Sequence, residues 1–303
     1  MSVQITTAFV QGYRANVEHL AQQKGSRLRG SVRVESINSK RDFFEQIGSV
    51  EVRWRTSRHS DTPIMDTPHS RRSVTTRTAE YGDLIDRADR IRLLIDPAGP
   101  YTEAAAFAMG RAMDEAILDA ATGTAYTGED GSTSTSYDSN MTVDVQVVDP
   151  GVSAADTGLN IAKLIAAKKN LDQADVDPDL PRFIAVNGRQ LSSLLKTTQV
   201  TSADYNSVRA LVGGQIDTFL GFKFLMTNRI RTDANGDDKV VYWAKPGILL
   251  AIGQDITAKI SERNDKSHST QVYVAMDVGA TRMQENMVGY IECDVGASPT
   301  TDA

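Results

Sequence analysis

The chain has 303 residues, of which 40% are hydrophobic and 24% charged, a composition typical of globular proteins that bury a core and a length that predicts roughly two domains. Its single cysteine, Cys293, excludes intramolecular disulfides, thiolate metal clusters and CxxC redox chemistry. Because no apolar run approaches the ~20 residues that cross a bilayer, and no basic segment precedes an apolar run at the N-terminus, we expect a soluble protein that is not exported.

Charge is unevenly distributed: the formal net charge is +4 over residues 1–100 and −10 over the remainder. A basic N-terminal third can dock on an acidic surface of another copy or contact nucleic acid. Residues 7–24 carry apolar side chains at helical spacing and predict an amphipathic helix that ends at Gly25. Residues 27–37 are expected to be an extended arm.

A long two-stranded β-arm is predicted next. Residues 50–58 alternate in period two, with Val52 and Trp54 opposite Arg53 and Arg55, and residues 71–81 are typical of a returning strand. The stretch between them, HSDTPIMDTPHSRR at 59–72, has the prolines and short polar residues of a turn. Such an arm is marginal alone in water, so it needs a partner surface.

The strongest helical pattern spans residues 96–123. Pro100 suits the first helical position, Gly123 a C-terminal stop, and Met109, Met113 and Ile117 share one face. We interpret the methionine stripe as core. Residues 123–142 are rich in Gly, Ser and Thr, which predicts a mobile surface loop.

An α/β region follows. The patterns predict helices at 158–171, 188–195 and 202–214 and strands at 182–187, 222–228 and 239–253, with the turn DANGDD at 233–238 joining the last two strands. Three further strand-like stretches follow residue 255, and the tail from Gly296 is expected to fray.

Catalytic motifs are missing: the sequence has no GxSxG elbow, Walker loop, HExxH or GxGxxG. His59, Asp61, Asp66 and His69 have metal-ligand side chains, but two prolines and irregular spacing deprive them of a common face, so we favour turn chemistry over metal binding. Residues 233–244 fail as a calcium loop, because Asp238 and Ala244 replace the required Gly and Glu.

Six arginines lie within residues 53–78, beside only two acidic residues. Arginine forks suit phosphate or carboxylate equally. The negative charge of the remaining chain opposes tight binding to DNA, so we favour contact with another copy of the protein. The candidate contact residues are Arg53, Trp54, Arg55, Arg58, Asp66, His69, Arg71 and Arg72.

Several long segments resemble the major capsid proteins of tailed double-stranded DNA bacteriophages, over about residues 40–290. They include DTPIMDTPHSRR, LIDPAGPYTEAAAFAMGRAMDEAIL, LIAAKKNLDQADVD, SADYNSVRALVGGQIDTFLGFKF, YWAKPGILLAIGQDITAKISER and STQVYVAMDVGATRMQE. The resemblance implies the α+β Hong Kong 97-type capsid fold. It divides the chain into an N-terminal arm (1–40), an extended loop (41–82), a peripheral domain (83–154 and 255–303) with a spine helix at about 100–123, and an axial domain (155–254).

The resemblance also implies a function. We expect a non-enzymatic virion protein that assembles in the host bacterial cytoplasm, as hexamers and pentamers, into an icosahedral head around double-stranded DNA. It would bind no cofactor and no membrane, and would contact the DNA weakly and without sequence specificity. Further expected partners are a separate scaffolding protein (the chain starts almost at the arm helix), a portal and in some phages a decoration protein.

The prototype of this fold crosslinks an extended-loop lysine to an asparagine. Here no lysine lies between Lys40 and Lys163, so we expect a non-covalent shell. Two alternatives stay open: an encapsulin-type compartment enclosing cargo protein, and, from another class, a metal-dependent hydrolase built on His59, Asp61, Asp66 and His69.

Overall fold

A computed structural model describes residues 22–59, 61–62, 64–86, 98–148, 153, 155–196 and 218–296. Three α-helices lie in these ranges: α1 (Ala98–Thr122), α2 (Ile161–Gln173) and α3 (Gly188–Lys196). No helix in the described ranges is both long and apolar enough to cross a membrane.

Fourteen strands accompany the helices in the described part of the chain. They are β1 (Arg33–Ser36), β2 (Arg41–Ile47), β3 (His69–Thr75), β4 (Arg77–Ile85), β5 (Ala125–Thr127), β6 (Thr133–Thr135), β7 (Thr142–Val143), β8 (Arg182–Val186), β9 (Thr218–Phe219), β10 (Phe222–Met226), β11 (Asp238–Ala244), β12 (Ile248–Arg263), β13 (Ser269–Arg282) and β14 (Val288–Cys293). These helices and sheets form an α+β architecture.

Helix α1 packs on a four-stranded sheet with the order β1-β12-β13-β4. Its predicted stripe is buried, since Met109, Met113 and Ile117 are at most 4% exposed. They belong to the first hydrophobic core together with Val272 and Val274 of β13. The long helix and its core face are therefore confirmed, although Pro100 is the third helical residue and not the first.

A six-stranded sheet, β7-β14-β11-β8-β10-β9, separates the first core from a second one. Alternate residues of a strand point to opposite faces, and β11 shows this directly. Trp243 lies in the first core, whereas Tyr242 lies in the second with Leu164 of α2 and Leu194 of α3. This sheet therefore joins two layers of packing in one body.

A third sheet, β2-β3-β5-β6, forms the base of the predicted arm. Strands β2 and β3 are antiparallel, from Arg41 opposite Thr75 to Ile47 opposite His69. Val74 of β3 packs with Ile37 and with Ala251 of β12 in a small third cluster. The arm is thus attached to the body at its base.

The segment 22–31 is anchored to α1 by one buried carboxylate. Asp114, 0% exposed, accepts hydrogen bonds from the backbone nitrogens of Arg27 and Leu28, and from the side chains of Ser26 and Gln23 at 2.5 Å. Gly110 permits this close approach, because a Cβ there would lie 2.4 Å from the backbone of Gly25.

Three predicted elements differ from the structure. Residues 50–58 contain no strand, because the partner of β3 in the hairpin is β2, and the predicted returning strand is two strands divided at Thr76. Residues 123–142 are not an irregular loop: β5 and β6 form a hairpin that extends the third sheet. Backbone pairing with β3 overrides the Gly/Ser/Thr composition.

The turn at 233–238 is present, with Gly236 at φ +95° and an antiparallel bridge between Thr232 and Asp238. The strands on either side of it do not pair with each other, because β8 lies between β10 and β11. Strand β12 continues through the predicted break at residue 254, although its pairing with β13 shifts register on both sides of Gln254. The predicted helix at 202–214, most of the helix at 7–24, and the tail beyond Gly296 lie outside the described residues; residues 22–24 are not helical.

Candidate inter-subunit contact surface

The distal part of the arm, residues 48–68, leaves the β2–β3 hairpin and returns to it. Its ends meet where the Gly48 nitrogen donates to the Pro68 carbonyl at 2.9 Å. Between them, the described residues form no strand or helix. The large apolar side chains are exposed to an unusual degree: Val52 81%, Trp54 89% and Ile64 94%. A single copy therefore presents an apolar surface of the kind that marks protein–protein contacts.

Four of the predicted contact residues, Arg53, Trp54, Arg55 and Arg58, lie together on this distal segment and are exposed. Arg55 donates from Nε to the Ser57 carbonyl at 2.7 Å. Arginine beside an aromatic anchor is the composition found at interface hot spots. Asp66 is exposed on the returning part of the segment.

The other three predicted contact residues lie on β3. His69 is exposed and opposite Ile47. Arg71 is partly exposed, pairs with Glu45 at 3.0 Å, and lies over the Phe43 ring at 5.6 Å. Arg71 also donates to the Glu129 carbonyl at 3.2 Å, and all three contacts are made within its own chain and near the surface, so a neighbouring carboxylate can still approach it.

Arg72 is turned inward, contrary to the expectation that it grips a carboxylate of an adjacent copy. It is 9% exposed, and its guanidinium donates to the Met283 carbonyl at 3.0 Å and to Glu285 at 2.6 Å. Successive strand residues face opposite sides of a sheet, which separates Arg71 from Arg72. The carboxylate that Arg72 binds belongs to its own chain.

Glu285 also binds Arg282, which is fully buried. The Arg282 guanidinium donates to the carbonyls of Ala121 and Gly123 at 3.0 and 2.7 Å, where α1 ends. These carbonyls have no partner within the helix, and a cation is favourable at the negative end of the helix dipole. Glu285 therefore couples the arm strand to the spine helix. Sequence reasoning missed the pair of Arg72 with Glu285, because its members lie 213 residues apart in the chain.

The proposed metal ligands do not converge into a site. His59 lies in a turn with φ +60°, Asp61 and Asp66 lie on the distal segment, and His69 begins β3. Across the ranges that the structure describes, no group of three or more His, Cys, Asp or Glu side chains could hold a metal ion.

Two buried polar groups in the second core are structural. The Lys163 ammonium donates to the carbonyls of Thr157 and Glu292 at 2.6 and 2.8 Å, and burial lowers its pKa. Burial raises the pKa of the Cys293 thiol to about 12. The thiol is therefore protonated and enclosed, which is the inert state of a cysteine.

The phage capsid protein family matches residues 5–295, whereas no curated protein matches the sequence. Solved capsid structures share the fold over nearly the whole chain. That of Ralstonia phage GP4 has 11% identity and a TM-score of 0.72, covering 96% of this chain and 97% of that one.

The capsid protein of cyanophage P-SCSP1u gives 16% identity and a TM-score of 0.69, with 96% and 94% coverage. That of cyanophage Pam1 gives 14% identity and 0.69, with 96% and 98% coverage. These likenesses confirm the Hong Kong 97-type capsid fold expected from the sequence. With the family match over nearly all of its length, the chain belongs to the phage capsid protein family and is a structural, non-enzymatic component of the virion capsid.

Proposed function

We propose that this chain assembles as hexamers and pentamers into the icosahedral head of a tailed phage, in the cytoplasm of the host bacterium, around double-stranded DNA. The carrying observation is the distal arm segment, which exposes Val52, Trp54 and Ile64 almost fully. Leaving such side chains in water forfeits roughly 1.5–3 kcal/mol each. Assembly recovers this free energy.

We propose the domain division that the resemblance implies, with one change at the C-terminal strand. The axial domain comprises residues 155–254 together with strand β14, which pairs with β11 in the six-stranded sheet. The peripheral domain comprises 83–154 and the rest of 255–303, and β12 is the strand that continues from one domain into the other. Residues 1–40 are the N-terminal arm and 41–82 the extended loop.

Electron microscopy of the chain, co-expressed with its genomic neighbours, tests the proposal. We expect capsomers and closed particles, and purified virions containing a genome. The absence of both capsomers and particles would refute the proposal, and particles filled with a cargo protein in place of DNA would favour the encapsulin alternative.

We propose that assembly of the head involves three further proteins: a separate scaffolding protein, a portal and, where present, a decoration protein. We expect few closed shells from the chain expressed alone and many when a scaffolding protein is supplied. Efficient, uniform assembly of the isolated chain would contradict the need for that partner.

The shell is proposed to be non-covalent, because the extended loop contains no lysine after Lys40. Purified particles boiled in detergent should migrate as a single 33.0 kDa band. A ladder of covalent multimers would contradict this proposal without affecting assembly itself.

A further inference from the structure

A cleft of about 810 Å³ lies between the segment 22–31, helix α1 and the residues that follow strand β10. This volume is in the range of pockets that hold small ligands. Among the described residues that line the cleft, none carries a carboxylate. Its polar lining consists mainly of donor side chains, namely the guanidinium groups of Arg27, Arg111 and Arg229 and the amides of Gln22, Gln23 and Asn228. The lining is therefore suited to an anion.

Two of these arginines are held in place without a carboxylate partner. Arg27 is exposed and donates from Nη1 to the Met226 carbonyl at 2.7 Å. Arg111 donates from Nη1 to the Gln22 side chain at 2.9 Å and to the Gln23 carbonyl at 3.2 Å. Within the described part of the chain, neither arginine forms an ion pair, and the Nε and Nη2 groups of both have no hydrogen-bond partner. Both therefore keep donors available for an anion.

The acidic residues near the cleft leave it open to another anion. Glu115 pairs with Arg229 at 3.2 Å, but both side chains are more than a third exposed. Since an exposed ion pair contributes little, an incoming anion can replace Glu115 at small cost. Asp114 is fully buried, and its oxygens already accept hydrogen bonds from the segment 23–28.

The arrangement of the donors favours a phosphate over a carboxylate. The three arginines come from three different elements, so their guanidinium groups approach the cleft from different directions. Gly188, the first residue of α3, also lines the cleft and adds the positive end of a helix. A planar carboxylate is satisfied by one guanidinium fork, whereas the tetrahedral oxygens of a phosphate can accept from several sides at once.

We propose that this cleft binds a backbone phosphate of DNA through Arg27, Arg111 and Arg229. This inference rests on the proposed function, the enclosure of double-stranded DNA, and assigns a contact with that DNA to named residues. The chain has a net charge of −6, so it repels a polyanion as a whole, and a cleft lined by donors provides a local exception. Contacts with phosphates carry no sequence information and weaken as salt is added.

Binding of a fluorescent duplex oligonucleotide to unassembled subunits, measured by anisotropy at low salt, tests the proposal. Arg27→Gln and Arg111→Gln should each weaken binding at least ~10-fold, because each variant loses a charge-assisted hydrogen bond. Each should also reduce the dependence of affinity on salt concentration. Glu115→Gln frees Arg229 and should tighten binding about 3-fold. Unchanged affinity of both arginine variants would overturn the proposal.

Arg263→Gln is the matched control, since it removes the same charge at the end of β12, where Arg263 pairs with the exposed Asp265. It should change affinity less than ~2-fold, and a loss equal to that of the cleft variants would overturn the proposal. Inorganic phosphate should displace the duplex better than chloride at the same ionic strength. Equal displacement by the two salts, or displacement by polyglutamate as effective as by unlabelled duplex, would also overturn it, the latter in favour of an acidic peptide.

Hydrogen exchange of the unmodified protein provides a second test that does not depend on the folding of any variant. With the duplex added, amides of residues 22–28 and 226–229 should exchange at least ~3-fold more slowly. Unchanged exchange at both stretches would refute the phosphate site. Subunits that form shells but do not bind the duplex would refute this inference alone, whereas subunits that bind the duplex but form neither capsomers nor particles would refute the assembly function.

Discussion

Asp114 shows how one side chain organises distant backbone. It is fully buried on α1 and accepts from the backbone nitrogens of Arg27 and Leu28 and from Ser26 and Gln23. Two other acidic residues of α1, Glu115 and Asp119, instead form ion pairs at the surface with Arg229 and Arg231. A carboxylate that satisfies several buried donors contributes far more than an exposed ion pair.

Asp114→Ala should lower the free energy of unfolding of the subunit by about 3 kcal/mol or more, because buried donors lose their acceptor. Urea unfolding monitored by circular dichroism measures this change. Asp119→Ala, on the same helix, is the matched control and should cost less than about 1 kcal/mol. Equal costs for the two variants would contradict the anchoring role.

Asp237 is expected to make stability depend on pH. Partial burial and the neighbouring carboxylates of Asp233 and Asp294 raise its pKa above the usual 3.8. A raised carboxyl pKa means that the protonated form favours the fold, so this stability is complete below pH ~3.8 and is lost as pH rises through the folded-state pKa.

Asp237→Asn should therefore raise the melting temperature at pH 7, and the difference from the native chain should vanish near pH 3.5. Thermal unfolding across this pH range provides the measurement. Asp179→Asn, an exposed loop substitution, should leave the melting temperature unchanged throughout. A lower melting temperature of the Asp237 variant at pH 7 would contradict the argument.

At the scale of elements, the base of the arm is joined to the spine helix by charge as well as by packing. Arg72 of β3 and Arg282 of β13 share the Glu285 carboxylate, and Arg282 also binds the carbonyls at the end of α1. These contacts link the arm strand to the C-terminal turn of the helix.

The adjacent arginines on β3 provide a matched pair of variants. Arg72→Ala should cost about 2 kcal/mol of unfolding free energy or more, because the Met283 carbonyl and the Glu285 carboxylate, which keeps only Arg282, each lose a hydrogen-bond donor. Arg71→Ala, whose pair with Glu45 is exposed, should cost under about 1 kcal/mol. Chemical denaturation of both variants measures the two losses of unfolding free energy. A larger loss for Arg71→Ala than for Arg72→Ala would refute the structural role of Arg72.

At the scale of the whole molecule, the distal arm segment contributes to assembly and not to the fold of its own chain. Changing Arg53, Arg55 and Arg58 together to Glu reverses the charge of an exposed stretch that packs on no core. We expect the subunits to stay folded and their assembly to be lost, because like charges would then meet the acidic remainder of the chain.

Circular dichroism of the triple variant tests its folding, and sedimentation with electron microscopy tests its assembly. The corresponding triple change to Lys preserves the charge and serves as the control. Normal shells from the Glu variant, or unfolded subunits, would contradict the expected separation of assembly from folding.

The sequence by itself determined the elements whose signals are local. The spine helix was predicted because Met109, Met113 and Ile117 repeat at helical spacing, and the turn at Asn235-Gly236 because that dipeptide favours positive φ. The long resemblance segments determined the family and its fold. The inter-subunit role of the eight contact residues remains a prediction, which is retained for all but Arg72.

Only the tertiary structure decided how those elements pair and which polar groups are enclosed. Strand β3 pairs with β2 and not with residues 50–58, and the stretch at 123–142 forms a hairpin on β3. Asp114, Arg72 and Glu285 have partners that are 86 to 213 residues away along the chain. Pairing and burial are set by contacts between distant segments, which local periodicity does not encode.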